Sequence, residues 1–242
     1  MRRVSLMTSS RPREVLLFGL SANPPTGSKG HMGVVKYCRP FYDDIWLLPV
    51  YQHIYSSKRK LAPFDHRVKM CRLALKTLES PQDHGAELQV MEEEREMYQH
   101  MATKTANLQE LHLGSIDLVY YLVNKYPDRR FTMLLGGDTY ADLLANKWKN
   151  GHELMTLVKV LVVDRKGIDS PWRKEKREDQ NESDRVQYIH VPELSNVSST
   201  IVRATTDRKK LATYLDPAVL EYIVQHQLYA FATASEEKGD DG

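Results

Sequence analysis

The chain has 242 residues, of which 41% are hydrophobic and 27% are charged, and its formal net charge at pH 7 is +2. This length suits one large α/β domain, or one domain with a small appendage. The near balance of charge excludes a general affinity for nucleic acid or for acidic membranes. Cys38 and Cys71 lie in apolar helical patterns, which indicates neither a disulfide framework nor a metal site and fits a reducing compartment.

The first patterned segment follows a basic tail predicted over residues 1–14. An apolar run at residues 15–18 predicts a buried parallel strand. Residues 19–30 are rich in Gly, Pro, Ser, Asn and Thr, which is typical of a tight loop that exposes its backbone. A helical pattern then begins at His31. Because the unpaired N–H groups and the dipole of a helix N-terminus attract negative charge, this segment predicts an anion site, to which His31 adds a donor.

Strand patterns and helix patterns alternate through the rest of the chain. Buried strands are predicted at residues 45–50, 86–91, 130–135, 157–163 and 186–191. Helices are predicted over residues 68–78, with Asp65 as the cap, over residues 115–126 and over residues 217–227. Helical turns are also predicted around residues 144 and 148, and another helix is predicted to start near residue 199. Residues 98–113 carry no assignable pattern, and residues 173–185 predict an exposed charged excursion.

This alternation predicts right-handed crossovers and a doubly wound parallel sheet in an α/β domain over residues 15–230, with a tail at 231–242. Ligands of such sheets bind beyond the carboxyl ends of the strands, where the strand order reverses. The first loop, the turn of Gly136, Gly137 and Asp138, and the loop after residue 163 all follow predicted strands. We therefore expect them to face one cleft.

A second candidate phosphate site lies at residues 197–203, VSSTIVR. Ser199 or Thr200 is a natural N-cap, and Arg203 lies one turn further on the same side. Hydroxyl groups and a guanidinium at a helix N-terminus suit a triphosphate tail. The alternative is an ordinary capped helix with a solvated arginine.

The first loop resembles the first signature of the nucleotidylyltransferase superfamily, G-x-F-[ND]-P-x-[HT]-x-x-H, which binds the phosphates of ATP or CTP. The residues that match are Gly19, Asn23, Pro24, Thr26 and His31. Thr26 stands where the bacterial form has its first histidine, and the loop is two residues longer before His31. Residues 197–203 are similar to the second signature, [IV]-S-S-T-x-x-R. Neither the Walker loop nor the G-x-G-x-x-G dinucleotide fingerprint is present.

The resemblance narrows to the nicotinamide/nicotinate mononucleotide adenylyltransferases. Four further segments carry it: residues 134–143 with Trp148 after them, residues 55–70 with Lys58, His66 and Arg67, residues 115–117, and residues 215–229. The family implies a Rossmann-like nucleotidylyltransferase fold with a small C-terminal helical part. It implies attack of the mononucleotide phosphate on the α-phosphorus of ATP, with loss of pyrophosphate, so that NAD or deamido-NAD forms.

The resemblance also implies site residues. His31, Arg203 and Lys58 are expected to be catalytic, with His31 donating to the α-phosphate. The residues expected to bind ATP and its phosphates are Gly19, Ser21, Thr26, Lys29, Gly30, Gly136, Asp138, Arg165, Ser199 and Thr200. Those expected at the mononucleotide are Asn23, Trp148 and Ser115. Trp148 would stack on the pyridine ring, and Asp138 would accept from the ATP ribose, with a helix N-cap as its alternative.

No metal ligands of the protein are expected, because Mg²⁺ would bridge ATP oxygens mainly through water. The expected partners are ATP and the mononucleotide, with no nucleic acid or membrane and with a homo-oligomer possible. The expected compartment is the cytoplasm or nucleus, with an organelle left open. Two alternative functions are a nucleotidylyltransferase of the same fold with another phosphate acceptor, and a non-catalytic nucleotide-binding relative.

Overall fold

A computed structural model describes residues 11–52, 61–79, 85–105, 107, 111–164, 185–194 and 199–232. Its strands are β1 (Arg13–Leu20), β2 (Asp44–Pro49), β3 (Glu87–Val90), β4 (Arg129–Gly136), β5 (Lys159–Asp164) and β6 (Val186–His190). Its α-helices are α1 (His31–Cys38), α2 (Phe64–Lys76), α3 (Glu93–Ala102), α4 (Ser115–Lys125), α5 (Gly137–Leu144), α6 (Gly151–Leu157), α7 (Ser199–Arg203), α8 (Arg208–Ala212) and α9 (Pro217–Gln225). None of the helices in these ranges combines the length and the apolar character that crossing a membrane requires.

The six strands form one parallel sheet in the order β3-β2-β1-β4-β5-β6. The order reverses between β1 and β4, which makes the carboxyl ends of these two strands the topological switch point. The predicted α/β class and the doubly wound parallel sheet are confirmed.

Strand β1 is buried on both faces, because its alternate side chains enter different cores. Leu16 and Leu20 pack with α1, α2 and the C-terminal helices α7 to α9. Val15 and Leu17 pack with α3 to α6 on the opposite face. Successive side chains of a strand point to opposite faces, so a continuous apolar run at residues 15–17 is what a central strand between two helical layers requires.

Several boundaries differ from the sequence predictions. Strand β1 begins at Arg13, two residues inside the predicted tail. Asp65 is not the cap of α2, because the helix already begins at Phe64 and the Asp65 carboxylate accepts from Arg95. Leu157 ends α6 instead of opening a strand. The excursion at 173–185 lies outside the described residues except for Arg185, as does the end of the chain after residue 232.

A buried carboxylate explains why β1 begins early. Asp44, the first residue of β2, is 0% exposed and accepts from Arg13 Nε at 2.8 Å and from an Arg13 terminal nitrogen at 2.8 Å. Arg129, the first residue of β4, donates to the same carboxylate at 2.6 Å. The amino ends of β1, β2 and β4 are therefore joined by charge-assisted hydrogen bonds, which are stronger than neutral ones.

We expect Asp44→Ala to lower the free energy of unfolding by about 2–3 kcal/mol, because it leaves two guanidinium groups without their shared acceptor. Chemical denaturation followed by circular dichroism measures this change.

Arg11→Ala is the matched control. It removes an ion pair from Arg11 to Asp43, 2.7 Å long, whose arginine is 72% exposed. Because such exposed pairs contribute about 0–1 kcal/mol, its stability should stay close to that of the wild type. Equal stability changes in the two variants would contradict the role given to Asp44.

Candidate functional site

Two cavities lie at the switch point of the sheet. The larger has a volume of about 370 Å³ and the smaller about 210 Å³. They have wall residues in common at the carboxyl ends of β1 and β4 and at the start of α5: Gly19, Leu20, Ser21, Leu134, Leu135 and Thr139. The two cavities are therefore neighbouring halves of one cleft, as the predicted loop positions required.

His31 opens α1 at the wall of the smaller cavity, and Thr26 sets its orientation. The Thr26 backbone N–H donates to His31 Nδ1 at 3.0 Å, and the Thr26 hydroxyl lies 2.7 Å from the same nitrogen. Because Nδ1 accepts a backbone N–H, the neutral ring carries its proton on Nε2. The imidazole is thus prepared to donate a hydrogen bond from Nε2.

The Thr26 hydroxyl also accepts from the His31 backbone N–H at 3.0 Å. This bond satisfies one of the N–H groups that a helix leaves unpaired at its start. The contacts of Thr26 make it a positioning residue for His31. Thr26 was also predicted to bind phosphate, and because it lies in the cavity wall, that role stays a prediction. Gly30 is required here, because a Cβ on it would overlap the Thr26 hydroxyl oxygen.

The second predicted phosphate segment contacts the same loop. Ser199 Oγ donates to the Pro24 carbonyl at 2.9 Å, and Arg203 donates to the Asn23 carbonyl at 2.7 Å. Arg203 also donates to Thr200 Oγ1 at 3.1 Å. The two sequence signatures therefore meet in space, although Ser199, Thr200 and Arg203 are not among the residues that line the two cavities.

Asn23 was predicted to bind the mononucleotide, and the structure places it elsewhere. Its side chain is 2% exposed, and Oδ1 accepts from the Ala62 backbone N–H at 3.0 Å. It lines neither cavity. Asn23 therefore connects the first loop to the residues before α2 through a hydrogen bond from its buried side-chain oxygen.

Arg67 lies in the segment at residues 55–70 that carries the family resemblance, but no role was predicted for it. It is 1% exposed, and its guanidinium donates to the carbonyls of Ser21 at 3.0 Å, Val50 at 2.6 Å and Ala62 at 2.9 Å. Burial lowers the pKa of Arg67. These carbonyls lie just beyond the carboxyl ends of β1 and β2 and just before α2, so one guanidinium fixes three segments around the cleft.

The larger cavity is lined by aromatic side chains and by the start of α4. Trp148, Tyr51 and Tyr98 contribute to its wall, as do Gly114 and Ser115. The Gly114 backbone N–H donates to the Asp117 carboxylate at 2.7 Å, which fixes the first turn of α4. Lys149 also lines the cavity, and its ammonium contacts the Asp117 carboxylate at 3.0 Å.

Glu94 is a carboxyl group of the larger cavity wall that the sequence analysis did not single out. It lies on α3, and its Oε2 accepts from the Tyr51 backbone N–H at 2.8 Å. Burial raises the pKa of Glu94 to about 7, although the Tyr51 N–H and the charge of Arg67 act in the opposite direction. This group therefore changes charge near neutral pH.

The other predicted site residues divide into three groups. Gly19, Ser21, Lys29, Gly30, His31 and Gly136 line the smaller cavity. Asp138 lies exposed in the first turn of α5 outside both walls, and it is not the N-cap, which is Gly136. Lys58 and Arg165 lie outside the described residues.

Within the described ranges, no group of three or more His, Cys, Asp or Glu is placed to hold a metal ion.

Comparison with known proteins gives matches over most of the chain. The model of the Cytidylyltransferase-like family matches residues 18–205. A protein of Anaeromyxobacter sp. (strain K), named probable nicotinate-nucleotide adenylyltransferase, is 29% identical over 218 residues, which are 90% of this chain and 97% of its own. A Myxococcus xanthus protein of the same name is 28% identical over 226 residues, 89% of this chain and 94% of its own.

A solved structure has the same fold. It is the Plasmodium falciparum nicotinic acid mononucleotide adenylyltransferase complexed with NaAD, and its TM-score with this chain is 0.65. The two are 18% identical, and the alignment covers 90% of this chain and 98% of the other.

We expect Thr26→Val to release the His31 ring, because it removes the hydroxyl that contacts Nδ1 and the His31 N–H. The free energy of unfolding should fall by about 1 kcal/mol, the worth of a typical hydrogen bond. The ¹⁵N chemical shift of Nδ1 should change, because this nitrogen loses the hydroxyl contact, while the backbone N–H of residue 26 still donates to it and keeps the proton on Nε2.

Thr26→Ser keeps the hydroxyl and is the matched control, so its imidazole shifts should resemble those of the wild type. A valine variant with unchanged ¹⁵N shifts would show that Thr26 does not orient the ring.

Proposed function

Since this chain belongs to the Cytidylyltransferase-like family, we propose that it is an adenylyltransferase that joins ATP to nicotinamide or nicotinate mononucleotide. The products are NAD or deamido-NAD and pyrophosphate. Two relatives named probable nicotinate-nucleotide adenylyltransferase support this choice, because they match this chain over 97% and 94% of their own lengths.

The common wall of the two cavities is the observation that carries the proposal. A dinucleotide product has two nucleoside halves joined by a pyrophosphate, so its enzyme needs two neighbouring pockets with the reaction at their junction. The cavities of about 210 and 370 Å³ meet at Gly19, Ser21 and Thr139. We assign ATP to the smaller cavity, which contains His31, and the mononucleotide to the larger.

The reaction needs no nucleophile from the protein. A phosphate monoester has a second pKa of about 6, so it is largely a dianion at neutral pH. One of its oxygens forms a bond to the α-phosphorus of ATP, and the bond from that phosphorus to the oxygen of the β-phosphate breaks. Pyrophosphate carries away the electron pair. The protein contributes alignment of the two anions and donors to the charge that develops between them.

His31 is the donor that this geometry favours for the α-phosphate. Its Nδ1 accepts from Thr26, which directs the ring proton to Nε2. His31 is also the first residue of α1, where backbone N–H groups and the helix dipole favour an anion. Lys29, in the same cavity wall, adds positive charge. Arg203, Ser199 and Thr200 would hold the β- and γ-phosphates from the other side of the loop, and Lys58 and Arg165 stay predicted phosphate ligands.

The larger cavity suits a pyridine mononucleotide. Trp148 offers an aromatic face, and aromatic rings gain from offset stacking beyond the area that they bury. Ser115 and the Gly114 end of α4 offer polar groups to the ring substituent or the ribose. We propose that Mg²⁺ enters with ATP as part of the substrate, because this ion prefers phosphate oxygens and water to a cage of protein ligands.

We expect His31→Ala to lower kcat/KM by about 10²–10³-fold, as the loss of one preorganised donor to a transition-state oxyanion does. The measurement is pyrophosphate release with ATP and each mononucleotide. His152→Ala removes an exposed histidine of α6 and should leave the rate unchanged.

Wild-type protein that released pyrophosphate only with a different phosphate acceptor would refute the substrate assignment. Wild-type protein that released no pyrophosphate with any acceptor would favour a nucleotide-binding protein without this chemistry, and full activity of the His31→Ala variant would refute the role given to His31.

We expect Trp148→Ala to raise the KM for the mononucleotide by about two- to tenfold, the equivalent of the 0.5–1.5 kcal/mol gained by an aromatic pair, while the KM for ATP stays near its wild-type value. Trp148→Phe keeps an aromatic face, so its KM for the mononucleotide should lie between those of the wild type and of Trp148→Ala. Steady-state kinetics with each substrate varied in turn measure both constants. A rise in the ATP KM alone would reverse the assignment of the two cavities.

A further inference from the structure

Glu94 lies in the part of the cleft that only the larger cavity occupies. With the mononucleotide assigned to the larger cavity, Glu94 belongs to the wall that would receive this substrate and not to the wall shared with the ATP cavity. Its neighbour Glu93 is 3% exposed and is used by Tyr126, whose hydroxyl donates to it at 2.8 Å. Glu93 belongs to the core, whereas Glu94 is the carboxyl group that α3 presents to the cavity.

The Glu94 side chain is held in place. Its Oε2 accepts from the Tyr51 N–H at 2.8 Å, and the ring of Tyr51 packs against Phe64 at 5.0 Å and against Tyr98 at 5.3 Å. Within the described residues, no lysine or arginine forms an ion pair with Glu94 within 4.0 Å, although the buried guanidinium of Arg67 is close enough to act on it electrostatically. A carboxyl group that is held in place and forms no direct ion pair is able to form a hydrogen bond or a charge contact with a polar group of the ligand.

The two candidate mononucleotides differ at one substituent of the pyridine ring. Nicotinamide carries a carboxamide, which donates two N–H bonds, and nicotinate carries a carboxylate, which only accepts. An ionised Glu94 is complementary to the carboxamide and repels the carboxylate. A protonated Glu94 donates its own O–H and accommodates the carboxylate.

We propose that Glu94 determines which of the two mononucleotides is used, with its ionised form favouring nicotinamide and its protonated form favouring nicotinate. This inference rests on the proposed function and goes beyond it by naming the group that reads the pyridine substituent. Because burial places the Glu94 pKa at about 7, the preference changes over the physiological range. A carboxylate ligand becomes less favourable as the pH rises, because more of Glu94 is ionised.

Other charged or titratable groups face this part of the cavity from each neighbouring element. Among the described residues they are Tyr51 after β2, Tyr98 of α3, and Lys149, which pairs with Asp117 of α4. Arg67 of α2 does not line this cavity but acts on Glu94 through its charge. The Lys149–Asp117 pair is neutral as a unit, and Arg67 is committed to backbone carbonyls. Within the part of the chain that the structure describes, Glu94 is therefore the group whose protonation changes the charge that the pyridine substituent meets.

The test is the ratio of kcat/KM for nicotinamide mononucleotide to that for nicotinate mononucleotide, measured with ATP and Mg²⁺ between pH 6 and pH 8. The titration of the substrate phosphate is common to both and cancels in the ratio. In the wild type the ratio should rise by up to about 100-fold, because with a pKa near 7 the proportion of ionised to protonated Glu94 goes from about 1:10 at pH 6 to about 10:1 at pH 8. In Glu94→Gln, which stays neutral, the ratio should not change with pH.

Glu96→Gln is the matched control on the same helix, because Glu96 is exposed and pairs with Lys125 outside the cavity. Its ratio should follow the wild-type curve. A flat wild-type ratio, or a Glu94→Gln ratio with the wild-type slope, would overturn the role of Glu94 while leaving the proposed function intact. The wild-type profile decides the matter even if Glu94→Gln folds poorly. Absence of turnover with both mononucleotides would instead overturn the proposed function, and the inference with it.

Discussion

The cleft of this protein depends on one buried guanidinium. Arg67 donates to backbone carbonyls that follow β1, follow β2 and precede α2, segments that are distant in sequence and that would otherwise expose unpaired acceptors. A buried carbonyl without a donor costs about 1–3 kcal/mol, so the planar fork of an arginine is what allows three irregular segments to pack together. Lysine has a single nitrogen and lacks this geometry. The positions of Ser21 and Tyr51, and through Tyr51 that of Glu94, follow from this one side chain.

A second set of contacts joins the distant ends of the sequence. The loop after β1 receives hydrogen bonds from Ser199 and Arg203 at its Pro24 and Asn23 carbonyls, and from Ala62 at the Asn23 side chain. Thr26 and His31 lie a few residues further along the same loop. Because the loop is held from both sides, the imidazole is oriented before any ligand arrives. A preorganised donor does not have to be reorientated during the reaction, which is the main source of electrostatic stabilisation of a transition state.

The sequence was sufficient for the parts of the fold that periodicity and local residue types encode. The apolar run before the first loop, the helix that begins at His31 and the turn after β4 were all predicted near their observed positions. The resemblance at residues 55–70 included Arg67, but its contacts were not predicted, because its acceptors are backbone atoms without a sequence signature. Asp44 and Glu94 were missed for a different reason. Each lies beside other acidic residues, in a segment whose composition is typical of an exposed surface. The short helices α6 and α8 contain too few turns to show a period.

The common wall of the two cavities has a consequence for inhibition. A single compound that carries an adenosine-like group and a pyridine-like group on one linker would lose its overall translational and rotational freedom only once on binding. Its second half would then bind at an effective concentration set by the linker, which is in the millimolar range for short flexible chains. At Gly19 in the junction, no atom of the described residues, apart from Gly19 and its chain neighbours, lies within 4 Å of the position where a side chain would begin, which leaves room for such a linker. A compound that connects two weakly binding fragments covalently should therefore bind this protein more tightly than either fragment alone.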